Sequence, residues 1–424
     1  MPMPDTLWKT VWTASMQGPY PVGNAYAQPD LSFAFPDAET GARNQTFRML
    51  VRPDRWGRRC RLRFSNMFGR APVTLDGVYA GLHLAGGAVV PGTNLRVSFG
   101  GAETVVIPPG ESAWSDPVSV PFYSKANENM LDGRKLAASF HVVGASGPMT
   151  WHAKAIATSY VSSPDAGSCG GEEGEEAFPF ATTSWFFLDA VDVETPAESV
   201  LVAAFGDSIT EGMNATLNGD DRWPDVLSRR LRNMGYTNTI IVNAGIGGNE
   251  VTGPAAYSAE NPYRGGPAAA DRIERDVFGL TGVDVVLWLQ GINDLRRPEV
   301  SAEQIWERMV FAAEQARRTH PSVRLVVATV PTCLGCELDG HGTKEQDDKR
   351  KRLNSFIKEN KVFDAWMDFD TPTAAREGGL CPEFAAAALG GAGDRLHPNR
   401  AGYMAIAAAV DPHTLLGDKS GRKN

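Results

Sequence analysis

The sequence is poor in cysteine, with five in 424 residues. Such a small number, at Cys60, Cys169, Cys333, Cys336 and Cys381, does not form the disulfide framework that holds many small secreted domains together. Cys333 and Cys336 are closely spaced and have His341 nearby, which leaves three interpretations open: a metal site, a local disulfide, or two unpaired thiols in a loop. Zinc would need a second pair of ligands at similar spacing. The sequence shows no such pair, so we expect no metal.

Long hydrophobic runs and an excess of positive charge are also missing. No apolar stretch approaches the roughly 20 residues that span a bilayer, so we expect no membrane insertion. The formal net charge of −9 disfavours a nucleic-acid partner. Residues 1–15 lack the charged-then-apolar order of a secretory signal. We therefore expect either a cytoplasmic protein or an exported one whose signal has been removed.

The remaining composition is that of an ordinary globular chain, with 42% hydrophobic and 21% charged residues. Its length is comfortable for two domains. The hydrophobic periodicity changes near Pro196. We therefore predict a β-rich accessory domain over residues 1–195 and a second domain over residues 196–424.

The sequence of the first domain predicts many short strands. Cys60–Ser65 alternates apolar and charged side chains, which is the period of a half-buried strand. Similar runs occur at Val73–Leu84, Leu95–Phe99, Thr104–Ile107, Leu136–Val143, Thr150–Tyr160 and Ser184–Val193. Short strands with turn residues between them and no long helix predict a β-sandwich or jelly roll. Gly167–Glu176, rich in glycine and glutamate, predicts a solvated surface loop.

The second domain alternates apolar strands with helices. The predicted strands are Ser199–Phe205, Thr239–Ala244, Val283–Gln290, Val323–Val330 and Val362–Phe369. The predicted helices are Trp223–Met234, Pro267–Phe278, Ala302–Thr319 and Lys344–Asn360. This α/β pattern indicates a parallel sheet covered on both faces. Ligands bind such sheets at the carboxyl ends of the strands.

Three polar or glycine-rich segments follow the first three strands of this domain. Ser208 comes just after the first strand in Gly-Asp-Ser; alternatively it is only a helix-capping serine. The second strand leads into the glycine-rich Asn243–Asn249, which could present a backbone N–H, form a plain turn, or bind phosphate. The phosphate interpretation lacks the expected Lys-Ser/Thr and the G-x-G-x-x-G spacing. Asn293 follows the third strand; a turn-forming Asn-Asp pair is the alternative.

Asp394 and His397 form a fourth segment near the C-terminus. They are three residues apart, so a single turn can bring their side chains together. The carboxylate can then hold the imidazole in the tautomer that accepts a proton from Ser208. In isolation, the pair could equally be a capping aspartate before a surface histidine. The conjunction of all four segments at one sheet edge favours a Ser-His-Asp triad.

The four segments resemble the signature blocks of SGNH hydrolases, the GDSL family, over roughly residues 200–410. The resemblance implies a flavodoxin-like three-layer fold with Ser208 as nucleophile and with Asp394 and His397 completing the triad. It also implies an oxyanion hole formed by Ser208, Gly248 and Asn293. Gly248 fits the second block better than Gly247, and Ile209 replaces the commonest leucine of the first block. The β-rich half resembles accessory β-sandwich domains fused to bacterial members.

These residues predict a serine esterase that works through an acyl-enzyme and needs no metal or organic cofactor. Two long loops are expected to shape the pocket: Asn249–Gly265, which carries the candidate substrate-binding residues Tyr257, Tyr263 and Arg264, and Thr332–Thr343. Both are polar rather than broadly apolar, and the first carries two tyrosines, which favours acetyl esters on a carbohydrate or other polar carrier over long-chain lipids. The expected partner is thus a small-molecule or oligosaccharide ester. The alternatives are a lipase or lysophospholipase, an acyltransferase with the same triad, and a non-catalytic carbohydrate-binding protein.

Overall fold

A computed structural model describes residues 6–23, 28–253, 265–338, 340–385 and 393–420. Among these residues the chain divides after Ala197 into two units, each with its own sheets.

The first unit is built from strands and one short 3₁₀ helix, Glu128–Met130. Its strands are β1 Thr6–Thr13, β2 Gly18–Pro19, β3 Arg43–Val51, β4 Arg59–Ser65, β5 Val73–Ala85, β6 Ala88–Val89, β7 Leu95–Arg96, β8 Val105–Ile107, β9 Ser112–Trp114, β10 Val118–Ser119, β11 Leu136–Ala145, β12 Thr150–His152, β13 Ser159–Val161, β14 Phe180–Thr182, β15 Trp185–Phe186 and β16 Leu188–Pro196.

These strands form antiparallel sheets. One has the order β1-β16-β4-β10, with β9 paired to β4; a larger one has the order β14-β13-β3-β11-β5-β6, with β7 and β8 paired to β5. A third, small sheet has the order β15-β12-β2. The predictions of single strands at Thr150–Tyr160 and Ser184–Val193 were wrong. Each segment is divided into two strands where a non-glycine residue takes a left-handed conformation. Ile156 (φ 53°) lies between β12 and β13, and Phe187 (φ 56°) separates β15 from β16.

An aromatic cluster joins the two larger sheets of this unit. Phe47 of β3 stacks on Phe140 of β11 with ring centroids 5.3 Å apart, and Phe64 of β4 meets Phe140 edge-on at 5.1 Å. All three side chains are fully buried. Full burial of such a side chain contributes about 2–3 kcal/mol. The inward-facing rings therefore form the core of the unit.

Half of the residues in the predicted surface loop Gly167–Glu176 are exposed, Cys169 and Gly170 are buried, and Arg48 anchors the loop through hydrogen bonds. The buried guanidinium donates to the carbonyl oxygens of Gly87, Gly170, Glu172 and Gly174. Burial lowers its pKa to about 10, so it remains charged at neutral pH. The backbone carbonyls thus take the place of the water molecules that this cation loses on burial.

The second unit alternates strands and helices. Its strands are β17 Val200–Gly206, β18 Thr239–Gly245, β19 Val283–Leu289, β20 Arg324–Ala328 and β21 Ala365–Met367. Its α-helices are α1 Ser208–Glu211, α2 Trp223–Asn233, α3 Ala269–Ile273, α4 Ile292–Leu295, α5 Ala302–Thr319, α6 Lys344–Glu359, α7 Pro382–Ala385, α8 Arg400–Ala409 and α9 Pro412–Leu416. A π turn, Glu274–Phe278, continues α3, and 3₁₀ turns lie at Thr371–Thr373 and Gly417–Ser420.

The five strands form one parallel sheet in the order β18-β17-β19-β20-β21. Near-continuous apolar sequence makes β17 and β19 buried along most of their length. In the pairing register, Gly206 at the end of β17 lies opposite Gly245 of β18 and Leu289 of β19. The segments that follow these three strands therefore leave the sheet at the same edge.

Candidate active site

Ser208 is the first residue of α1, directly beyond the carboxyl end of β17. Asp207 caps this helix, its Oδ1 accepting the backbone N–H of Ile209 at 3.0 Å. The tight entry requires glycine at position 206, because a Cβ atom there would lie 2.3 Å from the carbonyl oxygen of Leu289. Strand end, cap and short helix together fix the position of the buried Ser208 side chain.

A continuous chain of hydrogen bonds joins Ser208, His397 and Asp394. Ser208 Oγ lies 2.8 Å from Nε2 of His397, and Nδ1 of the same ring lies 2.6 Å from Oδ2 of Asp394. With the proton on Nδ1 donated to the carboxylate, Nε2 is free to accept from the serine hydroxyl. The structure thus brings together the three residues predicted to form the triad.

The Asp394–His397 turn is held by its own backbone. Oδ1 of Asp394 accepts the N–H groups of Leu396 at 2.9 Å and His397 at 2.8 Å. Burial alone would raise the pKa of the Asp394 carboxyl, but the hydrogen bonds and charge of His397 outweigh it and lower this pKa to about 2. Asp394 is therefore a carboxylate at any pH at which the protein is expected to work.

The predicted glycine lies in a tight turn after β18. The N–H of Asn249 donates to the carbonyl of Ile246 at 3.2 Å, and Gly248, the third residue of this turn, has φ +79°. A left-handed third position is what a type II turn requires, and glycine takes it without strain. Gly248 is exposed, so its backbone is accessible from solvent.

Asn293 is buried in α4, after the end of β19. Its Nδ2 donates to the backbone carbonyl of Asn249 at 3.1 Å. An amide nitrogen carries two hydrogens, so this bond orients the side chain and leaves a second N–H to donate. Asn293 is thereby linked to the residue that follows Gly248.

Two buried carboxyl groups flank these residues. Asp294 accepts the backbone N–H groups of Val251 and Thr252, and burial raises its pKa to about 6. Burial, aided by the charges of Asp294 and Glu211, raises the pKa of Asp207 to about 7. Asp294 thus anchors the segment that follows the Gly248 turn.

Sequence reasoning missed the bracing role of Asn249. Its side chain is fully buried, and Oδ1 accepts from Gln290 at 2.7 Å and from Arg272 at 2.8 Å. Its Nδ2 donates to the carbonyls of Gly265 and Pro267. The sequence offered one signal, a polar residue directly after the predicted glycine.

The predicted pocket loops are only partly described. Tyr257, Tyr263 and Arg264 lie outside the described residues, so their substrate-binding role stays a prediction. In the other loop, the carbonyl of Gly335 accepts from Nη1 of Arg395 at 3.3 Å. Arg395 lies within the Asp394–His397 turn, so this loop contacts the triad segment.

Cys333 and Cys336 are free, buried thiols at the two ends of a hydrogen-bonded turn. Cys333 Sγ donates to Oε1 of Gln346, whose amide nitrogen lies 3.0 Å from Nδ1 of His341. Burial raises the pKa of the Cys333 thiol to about 12. Among the residues that the structure describes, no three His, Cys, Asp or Glu side chains are arranged to hold a metal ion.

Comparison with known proteins identifies the second unit. Residues 204–405 match the model of the GDSL-like lipase/acylhydrolase family, and this part of the chain belongs to that family. The predicted resemblance to SGNH hydrolases is thus confirmed, and the protein is a hydrolase. No family model covers the N-terminal unit, and no curated protein matches the chain.

Several solved structures resemble about half of the chain. An aryl esterase from M. smegmatis is 16% identical, with 50% of this chain and 96% of that chain covered and a TM-score of 0.38. A carbohydrate acetylesterase family member from Sinorhizobium meliloti is 19% identical, with 51% and 99% covered and a TM-score of 0.38. A member of the lipolytic G-D-S-L family from Veillonella parvula is 19% identical, with 50% and 96% covered and a TM-score of 0.35.

None of the helices in the described part of the chain is both long enough and apolar enough to cross a membrane.

Proposed function

We propose that this protein is a serine esterase whose catalytic residues are Ser208, His397 and Asp394. The observation that carries the proposal is the unbroken hydrogen-bond chain from Ser208 Oγ through the imidazole to Asp394. The low pKa of Asp394 supports it, because a permanent carboxylate stabilises the imidazolium that forms when the ring takes the serine proton.

In the proposed mechanism, His397 removes the proton of Ser208 as Oγ attacks the ester carbonyl. The backbone N–H groups of Ser208 and Gly248 and the second amide N–H of Asn293 donate to the resulting oxyanion. Each such donor typically contributes about 3–4 kcal/mol to the stability of the transition state. His397 then protonates the leaving alcohol, and water activated by the same ring releases the acid from the acyl-enzyme.

For the substrate, we propose a short acyl group, such as acetyl, on a carbohydrate or another polar carrier. The support is the composition of the two pocket loops, which are polar rather than broadly apolar, together with the two tyrosines of Asn249–Gly265. Tyrosine rings offer flat surfaces with a hydroxyl group, suited to the alternating apolar and polar faces of a sugar.

For the architecture, we propose a flavodoxin-like hydrolase domain over residues 196–424 and an accessory β-sandwich domain over residues 1–195. The strand order of the parallel sheet, with β17 between β18 and β19, supports the first assignment. Two antiparallel sheets packed through an aromatic core support the second.

A chain-length series of p-nitrophenyl esters from C2 to C10, with and without an acceptor alcohol, tests this function. We expect activity to be highest on acetate, with the acid as the main product when the acceptor is present. A maximum at C8 or longer would indicate a lipase, and a new ester as the main product would indicate an acyltransferase. No turnover of any ester would leave a non-catalytic binding protein.

The Ser208→Ala variant makes this assay specific for the proposed site. We expect it to fold and to lose hydrolysis by several orders of magnitude. Ser199→Ala is the matched control, because Ser199 is another buried serine at the opposite end of β17. Equal activity of the two variants would contradict the assignment of the nucleophile.

A further inference from the structure

Arg272 is a fully buried cation that the proposed mechanism does not use. It lies on α3, and the carboxylate of Asp276 faces it, with Nη1 and Oδ2 2.9 Å apart. Burial lowers the pKa of the guanidinium to about 10, so it stays charged at neutral pH. Arg275 binds the same carboxylate from the less buried side. A charge buried this deeply is costly unless its donors are used, so their acceptors indicate its role.

Three further donors of Arg272 reach the segments that carry the proposed site. Nη2 donates to the carbonyl of Gly206 at 2.7 Å, two residues before Ser208, and Nη1 donates to the carbonyl of Ala244 at 3.0 Å, near the end of β18. Nε donates to Oδ1 of Asn249 at 2.8 Å. The guanidinium plane therefore bridges the ends of the two strands that lead to the nucleophile and to the Gly248 turn.

The contact with Asn249 extends this bridge to the third oxyanion donor. The backbone carbonyl of Asn249 accepts Nδ2 of Asn293, and its side chain is held between Arg272 and Gln290. A displacement of Asn249 would move the Gly248 turn and rotate the Asn293 amide together. The Phe205 ring, 4.2 Å from the guanidinium carbon, restricts how far the cation itself can shift.

We propose that Arg272 is a positioning residue that preorganises the oxyanion hole, an inference that rests on the proposed esterase function. It touches no substrate. It fixes the spacing of the three oxyanion donors by binding the carbonyl of Gly206, two residues before Ser208, and the side chain of Asn249, which follows Gly248 and whose carbonyl holds Asn293. Arginine suits this role because its planar fork can donate in several directions at once, whereas the ammonium of lysine is a compact point charge.

The test compares Arg272→Met and Arg272→Lys with Arg275→Met on p-nitrophenyl acetate. Arg275→Met is the matched control, since it removes a guanidinium that binds the same Asp276 carboxylate. We expect kcat to fall about 100-fold in Arg272→Met and at least about tenfold in Arg272→Lys, with KM changed less than about threefold. In Arg275→Met we expect kcat within about twofold of wild type.

Two further measurements separate positioning from a general loss of structure. The pH at half-maximal kcat should not move, because the Ser208–His397–Asp394 chain contains no contact with Arg272. The double variant Arg272→Met/Asn293→Ala should have a kcat less than about tenfold below that of the less active single variant, because both changes impair the same oxyanion hole. Fully multiplicative losses would overturn the proposal.

Loss of folding is a risk in Arg272→Met, since it leaves buried oxygens without donors. Arg272→Lys keeps the charge opposite Asp276, so if the Met variant does not fold, the Lys variant decides. A folded Arg272→Lys protein with kcat within about twofold of wild type would refute the positioning role. That result would not affect the esterase assignment. The esterase assignment is contradicted only if the wild-type protein itself hydrolyses no ester.

Discussion

The Asp394→Asn substitution tests the triad by changing the tautomer of His397 rather than by removing a group. Oδ1 of Asp394 accepts two backbone N–H groups, and Oδ2 accepts Nδ1–H of His397. In the asparagine side chain, the oxygen must stay with the two backbone donors, so the NH₂ group faces Nδ1. Nδ1 then becomes an acceptor and the ring proton moves to Nε2. An Nε2–H cannot accept the proton of Ser208.

We expect kcat to fall about 10⁴-fold, the loss typical of this substitution in a Ser-His-Asp triad. This corresponds to about 5 kcal/mol of transition-state stabilisation. Because the two backbone hydrogen bonds survive, the turn and KM should change little. The assay is steady-state hydrolysis of p-nitrophenyl acetate, with thermal unfolding measured on the same samples.

Asp411→Asn is the matched control for this experiment. Asp411 is the N-cap of α9, and its carboxylate accepts the N–H and the hydroxyl of Thr414. We expect its kcat to stay within about twofold of wild type. If folded Asp394→Asn protein keeps more than about a tenth of the wild-type kcat, the tautomer argument is wrong.

Three further predictions concern other buried polar groups. Asp207 has a folded pKa of about 7, so its stabilising proton, lost from the unfolded chain above about pH 4, is lost from the folded protein only near pH 7. The free energy of unfolding of wild type, relative to that of Asp207→Asn, should therefore fall by up to about 4 kcal/mol as the pH rises from 4 to 7. The same difference between the two proteins at pH 5 and at pH 8, measured by urea denaturation, would contradict this. Asn293→Ala should lower kcat about 10²–10³-fold with a smaller change in KM, and an effect on KM alone would mean that Asn293 binds substrate. Arg48→Met should destabilise the N-terminal unit by about 1–3 kcal/mol for each buried carbonyl that it leaves unpaired, and an unchanged unfolding temperature would refute the anchoring of the Gly167–Glu176 loop.

Much of the candidate site could be predicted from local sequence. The apolar strands are nearly continuous, so their ends could be placed, and parallel pairing delivers Ser208, Gly248 and Asn293 to one edge. The spacing of Asp394 and His397 predicts a turn contact without knowledge of the rest of the fold. The helix at Ala302–Thr319 begins at the residue predicted, because Ser301 and Gln304 form a capping box.

The bracing interactions could not be predicted in this way, because they depend on side chains that meet only after folding. Nothing in the sequence around Arg272 distinguishes it from the exposed arginines of other helices. Strand β1 was also missed, since it pairs with β16, which lies more than 170 residues further along the chain. The left-handed backbone conformations of Ile156 and Phe187 could not be predicted, because neither residue type favours that conformation.

The assignment of Ser208 as nucleophile is the central claim, and covalent labelling tests it most directly. The protein is treated with a p-nitrophenyl alkylphosphonate, and the modified peptide is identified by mass spectrometry. We predict a single adduct on Ser208, formed in parallel with the loss of hydrolysis, formed more slowly in Asp394→Asn, and absent from Ser208→Ala. An adduct on another residue that accompanies inactivation, or full labelling of Ser208 with hydrolysis undiminished, would contradict the account.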